Sequence, residues 1–163
     1  NFFGSVGTAI MVFITRQYTF NAGSVGETAL NIASSKVDLG FFQAVMLGVL
    51  CNVLVCLAVW LSYSARSTTD KVLVIIFPIT AFVAASFEHS VANMYYIPYA
   101  IFIKTFDPAF VISLADKVPE LSNLTWSSFF LDNLLPVTIG NIIGGAGLVA
   151  AIYWFIYLKK IRT

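Results

Sequence analysis

Hydrophobic positions in this chain do not alternate with polar ones; they run on for a bilayer's thickness at a time. Segments 41–63 and 133–157 are apolar over about the 20 residues that a helix needs to cross a membrane. A shorter apolar stretch, 1–15, stops at Arg16 and reads as a truncated span. Strand-type alternation is weak, so the pattern predicts an all-α integral membrane protein and not a β-barrel. Segment 72–103 is the exception. Apart from Thr80, Ser86, Asn93 and the triplet Glu88-His89-Ser90 it is almost wholly apolar or small. A continuous helix over it would be about 48 Å long, longer than a hydrocarbon core of about 30 Å and too short for two crossings. One crossing by two half-helices, broken near 87–91, meets both limits. Irregular backbone at membrane depth is tolerated only where protein shields it or it lines a cavity. Pro78 and Pro98 are expected to disturb the two arms.

Charge fixes the orientation. The link 64–71 carries Arg66, Asp70 and Lys71, and the tail carries Lys159, Lys160 and Arg162. The loop 105–132 carries Asp107, Asp116, Glu120 and Asp132 against Lys117. A single crossing by 72–103 puts both basic segments on one side, which the positive-inside rule makes cytoplasmic. Trp60, Tyr63, Trp154 and Tyr157 then fall at the cytoplasmic interface. Segments 16–40 and 105–132 face the opposite side. Composition agrees: 59% of residues are hydrophobic and 10% charged, against about a quarter charged in a soluble domain. A net charge of +1 makes no case for nucleic acid. Cys51 and Cys56 read as small packing residues, and with a single histidine in the chain no zinc pattern is available. No cofactor motif, nucleotide loop or catalytic triad is visible, which argues against an ATP-driven pump and most membrane enzymes.

Two short motifs repeat. Asn1 to Gly7 and Asn141 to Gly147 both read N-x-x-G-x-x-G. Small residues at these spacings let helices approach closely, and the pair reads either as two packing helices or as two halves of a duplicated unit.

The chemistry centres on His89, the one side chain whose ordinary pKa lies near physiological pH. Ionisable groups at membrane depth mark pathways and proton-handling sites. Half-helix ends add partial positive charge at the break. The combination suits a small monovalent anion, attracted or protonated by the imidazolium and released by the neutral ring. Glu88 is next to it in sequence but points elsewhere on a helix, and is expected to serve helix termini or Lys36. Asn52 is the only strongly polar side chain in the middle of 41–63, and Asn93 lies one turn after His89. Phe82, two turns before His89, is placed to form a dry constriction.

Three motifs in order resemble the formate/nitrite transporter family: Gly48 to Ala58, Phe87 to Met94, and Pro136 to Gly145. The resemblance covers essentially the whole chain. It implies homopentamers in the bacterial inner membrane, one pore per protomer, both termini cytoplasmic, and an aquaporin-like inverted repeat of three plus three helices with broken helices. It also implies that the family's first two helices lie outside this chain. By the same resemblance His89 is the central pore histidine, Phe82 and Val55 are constriction residues on either side of it, Asn52 and Asn93 are polar groups near the pore centre, and Lys36 draws the anion in. Glu88 and Ser90 are structural polar groups beside the site. The implied function is a channel or transporter for formate, with nitrite or hydrosulfide as the alternative cargo. The alternative from another class is a structural membrane subunit with a buried Glu-His pair.

Overall fold

The computed structural model describes residues 1–114 and 117–158. The expected basic tail (Lys159, Lys160, Arg162) and Asp116 of the acidic loop lie outside the described residues. Among the described residues every regular element is helical: α1 Phe2–Ile14, α2 Ser24–Val37, α3 Phe41–Ser64, α4 Thr68–Ala84, α5 Ser90–Phe106, α6 Pro108–Ser113 and a long α7 Trp126–Leu158. α3 and α7 are each long and apolar enough to cross a membrane, with 24 and 33 residues.

The helix ends follow from local chemistry. Ser67 caps α4: its hydroxyl accepts from the Asp70 N–H and the Asp70 carboxylate accepts from the Ser67 N–H, both at 3.1 Å, so each satisfies an orphan donor of the first turn. α1 ends where Arg16 turns left-handed at φ 56°. Asp107 caps α6 ahead of Pro108, whose missing N–H costs nothing at that position. Pro78 and Pro98 both stand inside their helices, α4 and α5. The disturbance expected of them therefore ends neither helix. α7 carries stretches bonded i to i+5, at Phe129–Leu134, Ile143–Ala150 and Trp154–Leu158. Nothing in the apolar pattern foreshadows these.

The chain folds as two units. The first comprises Asn1–Phe41 and Ser90–Leu135. Its core joins α1, α2 and α5 through fully buried Ala9, Leu30, Ala33, Ile97 and Ala100, closed by Phe129 of α7. Lys104 holds the following loop by donating to the carbonyls of Leu121 (2.6 Å) and Leu124 (3.0 Å). Before α2 the chain makes a turn of three left-handed residues, Asn21, Ala22 and Gly23. A Cβ at Gly23 would lie 3.1 Å from the Phe110 ring, so glycine serves there for both its φ and its size.

Asp107 also anchors the end of α5. Its carboxylate accepts from the Tyr18 hydroxyl (2.8 Å), the Phe110 N–H (3.1 Å) and the exposed Arg16 guanidinium (3.3 Å). The bonds from Tyr18 and then Phe110 hold the carboxyl below its ordinary value. Burial, with the bond to Asp107 second, raises the Tyr18 phenol. A depressed carboxyl stabilises the fold above its unfolded pKa and loses that contribution as pH falls through the folded value. Tyr18→Phe is thus expected to lower thermal stability at pH 7, with the gap to the parent closing toward pH 3. Melts in detergent across that pH range measure this; a gap that does not narrow at all as pH falls would assign the loss to packing.

The second unit comprises Phe42–His89 and the chain from Pro136 onward. Its centre is the close approach of α3 and α7. A Cβ on Gly140 or Gly144 would collide with the main chain of Val45 or Val49, and one on Gly48 with the Val137 carbonyl. The two N-x-x-G motifs are used unequally. Gly144 is in tight contact, while a Cβ on Gly4 or Gly7 would meet nothing within 4 Å. Trp60 meets the rings of Tyr153 and Tyr157 edge-on at 5.6 and 6.3 Å.

Candidate functional site

The helix stops at Ala84 and restarts at Ser90. Between them the backbone turns at Ser86, which is left-handed at φ 54°. The Phe87 N–H folds back onto the Phe82 carbonyl at 3.0 Å. Glu88 then lies against α3, its N–H directed to the Leu47 carbonyl at 3.4 Å.

Asn141 completes the hold. Its side-chain NH2 donates to the Gly48 carbonyl (2.9 Å) and to the Glu88 carbonyl (3.0 Å), and its main-chain carbonyl accepts from the Asn52 side-chain NH2 (2.7 Å). Two carbonyl partners fix which way the amide points. Asn141 is thus the hub that ties α3, α7 and the break together, and it is 6% exposed. Sequence reading took it for part of a packing motif. The signal that singled out Asn52, a lone strong polar group within an apolar span, applies equally to Asn141.

His89 is half-buried at the end of this break, with the Phe82 ring stacked on it at 5.9 Å and 26°. Val55 stands half-buried on α3, three residues after Asn52. Glu88 is 3% exposed, and its main chain makes the ties to α3 and α7 described above. Phe82, Glu88, His89, Asn52 and Val55 therefore share the second unit.

The other expected residues belong to the first unit. Ser90 is buried at the start of α5 and Lys36 is half-buried in the last turn of α2. Asn93 is fully buried and donates to the Asn133 side-chain oxygen at 2.8 Å; Asn133 donates in turn to the Lys36 carbonyl at 2.8 Å. Asn133 escaped sequence reading because it sits at the boundary of a polar loop, where an asparagine carries no signal. Among the described residues no group of three or more His, Cys, Asp or Glu is placed to hold a metal.

A long apolar helix packed through glycines against a second one, with a helix break at a stacked histidine, makes an all-helical protein with a built polar site. The family model described as formate/nitrite transporter matches residues 1–155, and the chain belongs to that family. It is 44% identical over 161 residues to the formate channel FocA of Escherichia coli K12, covering 98% of this chain and 56% of FocA. It is 48% identical over 139 residues to the formate channel FocB of the same organism, covering 83% of this chain and 48% of FocB. A probable formate transporter of Methanothermobacter thermautotrophicus is 47% identical over 131 residues, covering 79% of this chain and 41% of that protein. Among solved structures, a pentameric formate channel with formate bound superposes with a TM-score of 0.87 at 44% identity, covering 96% of this chain and 62% of that one. The chain thus spans about half the length of the curated relatives it matches.

Proposed function

We propose that the protein carrying this chain is a formate channel or transporter, with His89 as the residue that meets the anion. The observation that carries this reading is the helix break that presents His89 under the ring of Phe82, in a family whose relatives are named formate channels. Lys36 and the half-helix ends draw the anion in, Phe82 and Val55 form parts of dry constrictions, and Asn52 and Asn93 line or support the polar centre between them. Glu88 and Ser90 hold the backbone of the break.

The step at His89 balances simply. The imidazolium gives one proton to the formate carboxylate, leaving a neutral ring and neutral formic acid. The acid crosses an apolar constriction at far lower cost than the anion, whose burial without a partner is severe. The ring regains a proton from the side on which the next anion enters. On this reading the spans are 1–15, 41–63, 72–103 and 133–157, within an aquaporin-like inverted repeat of three plus three helices. The protein is a homopentamer in the bacterial inner membrane with its C-terminus cytoplasmic.

The experiment is formate uptake into proteoliposomes between pH 5 and 8, with the parent protein and His89→Asn. Flux is expected to fall at least tenfold, or to lose its pH dependence, in the variant. Unchanged flux and pH profile in a folded variant would make His89 structural. Nitrite or hydrosulfide uptake without formate uptake by the parent would retain the fold and change the cargo.

A further inference from the structure

The bond from Asn133 to α2 reaches the turn that carries Lys36, and no part of the reading above uses it. The last four carbonyls of a helix have no partner within it. In α2 the Ser34 carbonyl still accepts from the Asp38 N–H at 3.1 Å, and the four that follow belong to residues 35–38, Lys36 among them. Asn133 supplies a donor to the Lys36 carbonyl at 2.8 Å. Its other side-chain atom accepts from Asn93 at 2.8 Å, so α2 is tied through α7 to α5. Asn133 is fully buried, as is Phe129 one turn earlier. Both lie in the stretch bonded i to i+5, where the widened turn feeds an extra residue into the helix. Such widened turns recur at functional sites. A plain helix linker would not require an amide to end on the one carbonyl belonging to the residue whose charge is at issue.

We propose that Asn133 is a positioning residue for Lys36: it fixes the last turn of α2 against α5 and α7, and so sets where the Lys36 charge meets an entering anion. This rests on the reading of Lys36 as the cation that draws formate in. A positioned charge at a channel entrance raises the local anion concentration by about tenfold or more. The signature is a higher half-saturating formate concentration with the maximal rate kept, not a uniform loss of flux.

The test is the concentration dependence of formate uptake by the reconstituted protein carrying Asn133→Leu, Lys36→Gln, or both. Each single variant is expected to raise the half-saturating concentration several-fold and to leave the maximal rate within about twofold. The double variant is expected to match Lys36→Gln alone, because residues acting as one unit are not additive. The rise in the single Asn133 variant should also shrink at high salt, which screens the attraction in the parent. Should Asn133→Leu fail to fold, Asn133→Ser, whose hydroxyl is too short to reach the carbonyl, carries the same expectations. A lower maximal rate at unchanged half-saturation, or full additivity with Lys36→Gln, overturns the proposal and leaves the formate reading standing. A Lys36→Gln variant with parental half-saturation overturns both the proposal and the role assigned to Lys36, while parental uptake itself continues to report on the channel reading.

Discussion

Changing Gly140 and Gly144 together to alanine is expected to remove the folded protein from detergent extracts. Each added methyl would be driven into main chain: the Val45 carbonyl for Gly140 and the Val49 carbonyl for Gly144. Backbone atoms of a packed helix cannot rotate aside as a side-chain tip can. α3 and α7 must separate instead, and the buried contacts along their seam weaken with them. Overpacking costs about 1–3 kcal/mol per site and more where nothing yields. Two such sites remove a large part of a typical total stability of about 5–15 kcal/mol. Gly147→Ala is the control, since a Cβ there meets nothing within 4 Å and alanine favours helix by about 1 kcal/mol. Yield of monodisperse protein and its melting temperature report the difference. A double variant as stable as Gly147→Ala would show that close approach does not govern this seam.

Asn141→Asp is expected to be nearly as damaging by a different route. The substitution is almost isosteric, yet it puts an oxygen where an NH2 group now donates to the Gly48 and Glu88 carbonyls. Ionised, the carboxylate faces two carbonyl oxygens at hydrogen-bond distance in a buried position. Protonated, it can serve only one of them. A lost donor to a buried acceptor costs about 1–3 kcal/mol, so the two losses and the repulsion together come to about 3 kcal/mol or more. Asn141→Ala, which removes the donors without adding repulsion, should fall between the parent and the aspartate variant. Because Glu88 directly precedes His89, the formate flux proposed for this protein should fall alongside stability in the order alanine, then aspartate. Melting temperature and uptake measured on the same preparations check this ordering; parental values for the aspartate variant would remove Asn141 from the support of the break.

How far the sequence alone reaches can be judged from particular residues. Long apolar runs with few charges and little alternation point to apolar helices, so the all-helical character is legible without structure. Glu88-His89-Ser90 stands out because polar groups in such a run need a reason, and the helix is interrupted at 85–89. Asn141 was legible by the same argument but was masked by the glycines around it. The left-handed Ser86 was not, because serine has no preference for that conformation and the turn is imposed by the bonds around it. The widened turns of α7 were invisible for a related reason: they shift hydrogen bonds by one residue and leave hydropathy unchanged. Asn133 needed its partners to be seen, since both of its bonds join residues about 40 or more positions apart in sequence.

Each unit is assembled from two separated pieces of chain, and in both cases the second piece includes part of α7. Synthesis proceeds from the N-terminus, so α1, α2 and α5 are made before Phe129 and Asn133 exist to close them. α3 likewise waits for Gly140 and Gly144. α7, made after the elements it packs against, therefore completes both cores, and a ribosome stalled before it would leave each unit with an open apolar face. Quality control acting on nascent chains would meet these two units still open in the interval between α6 and α7.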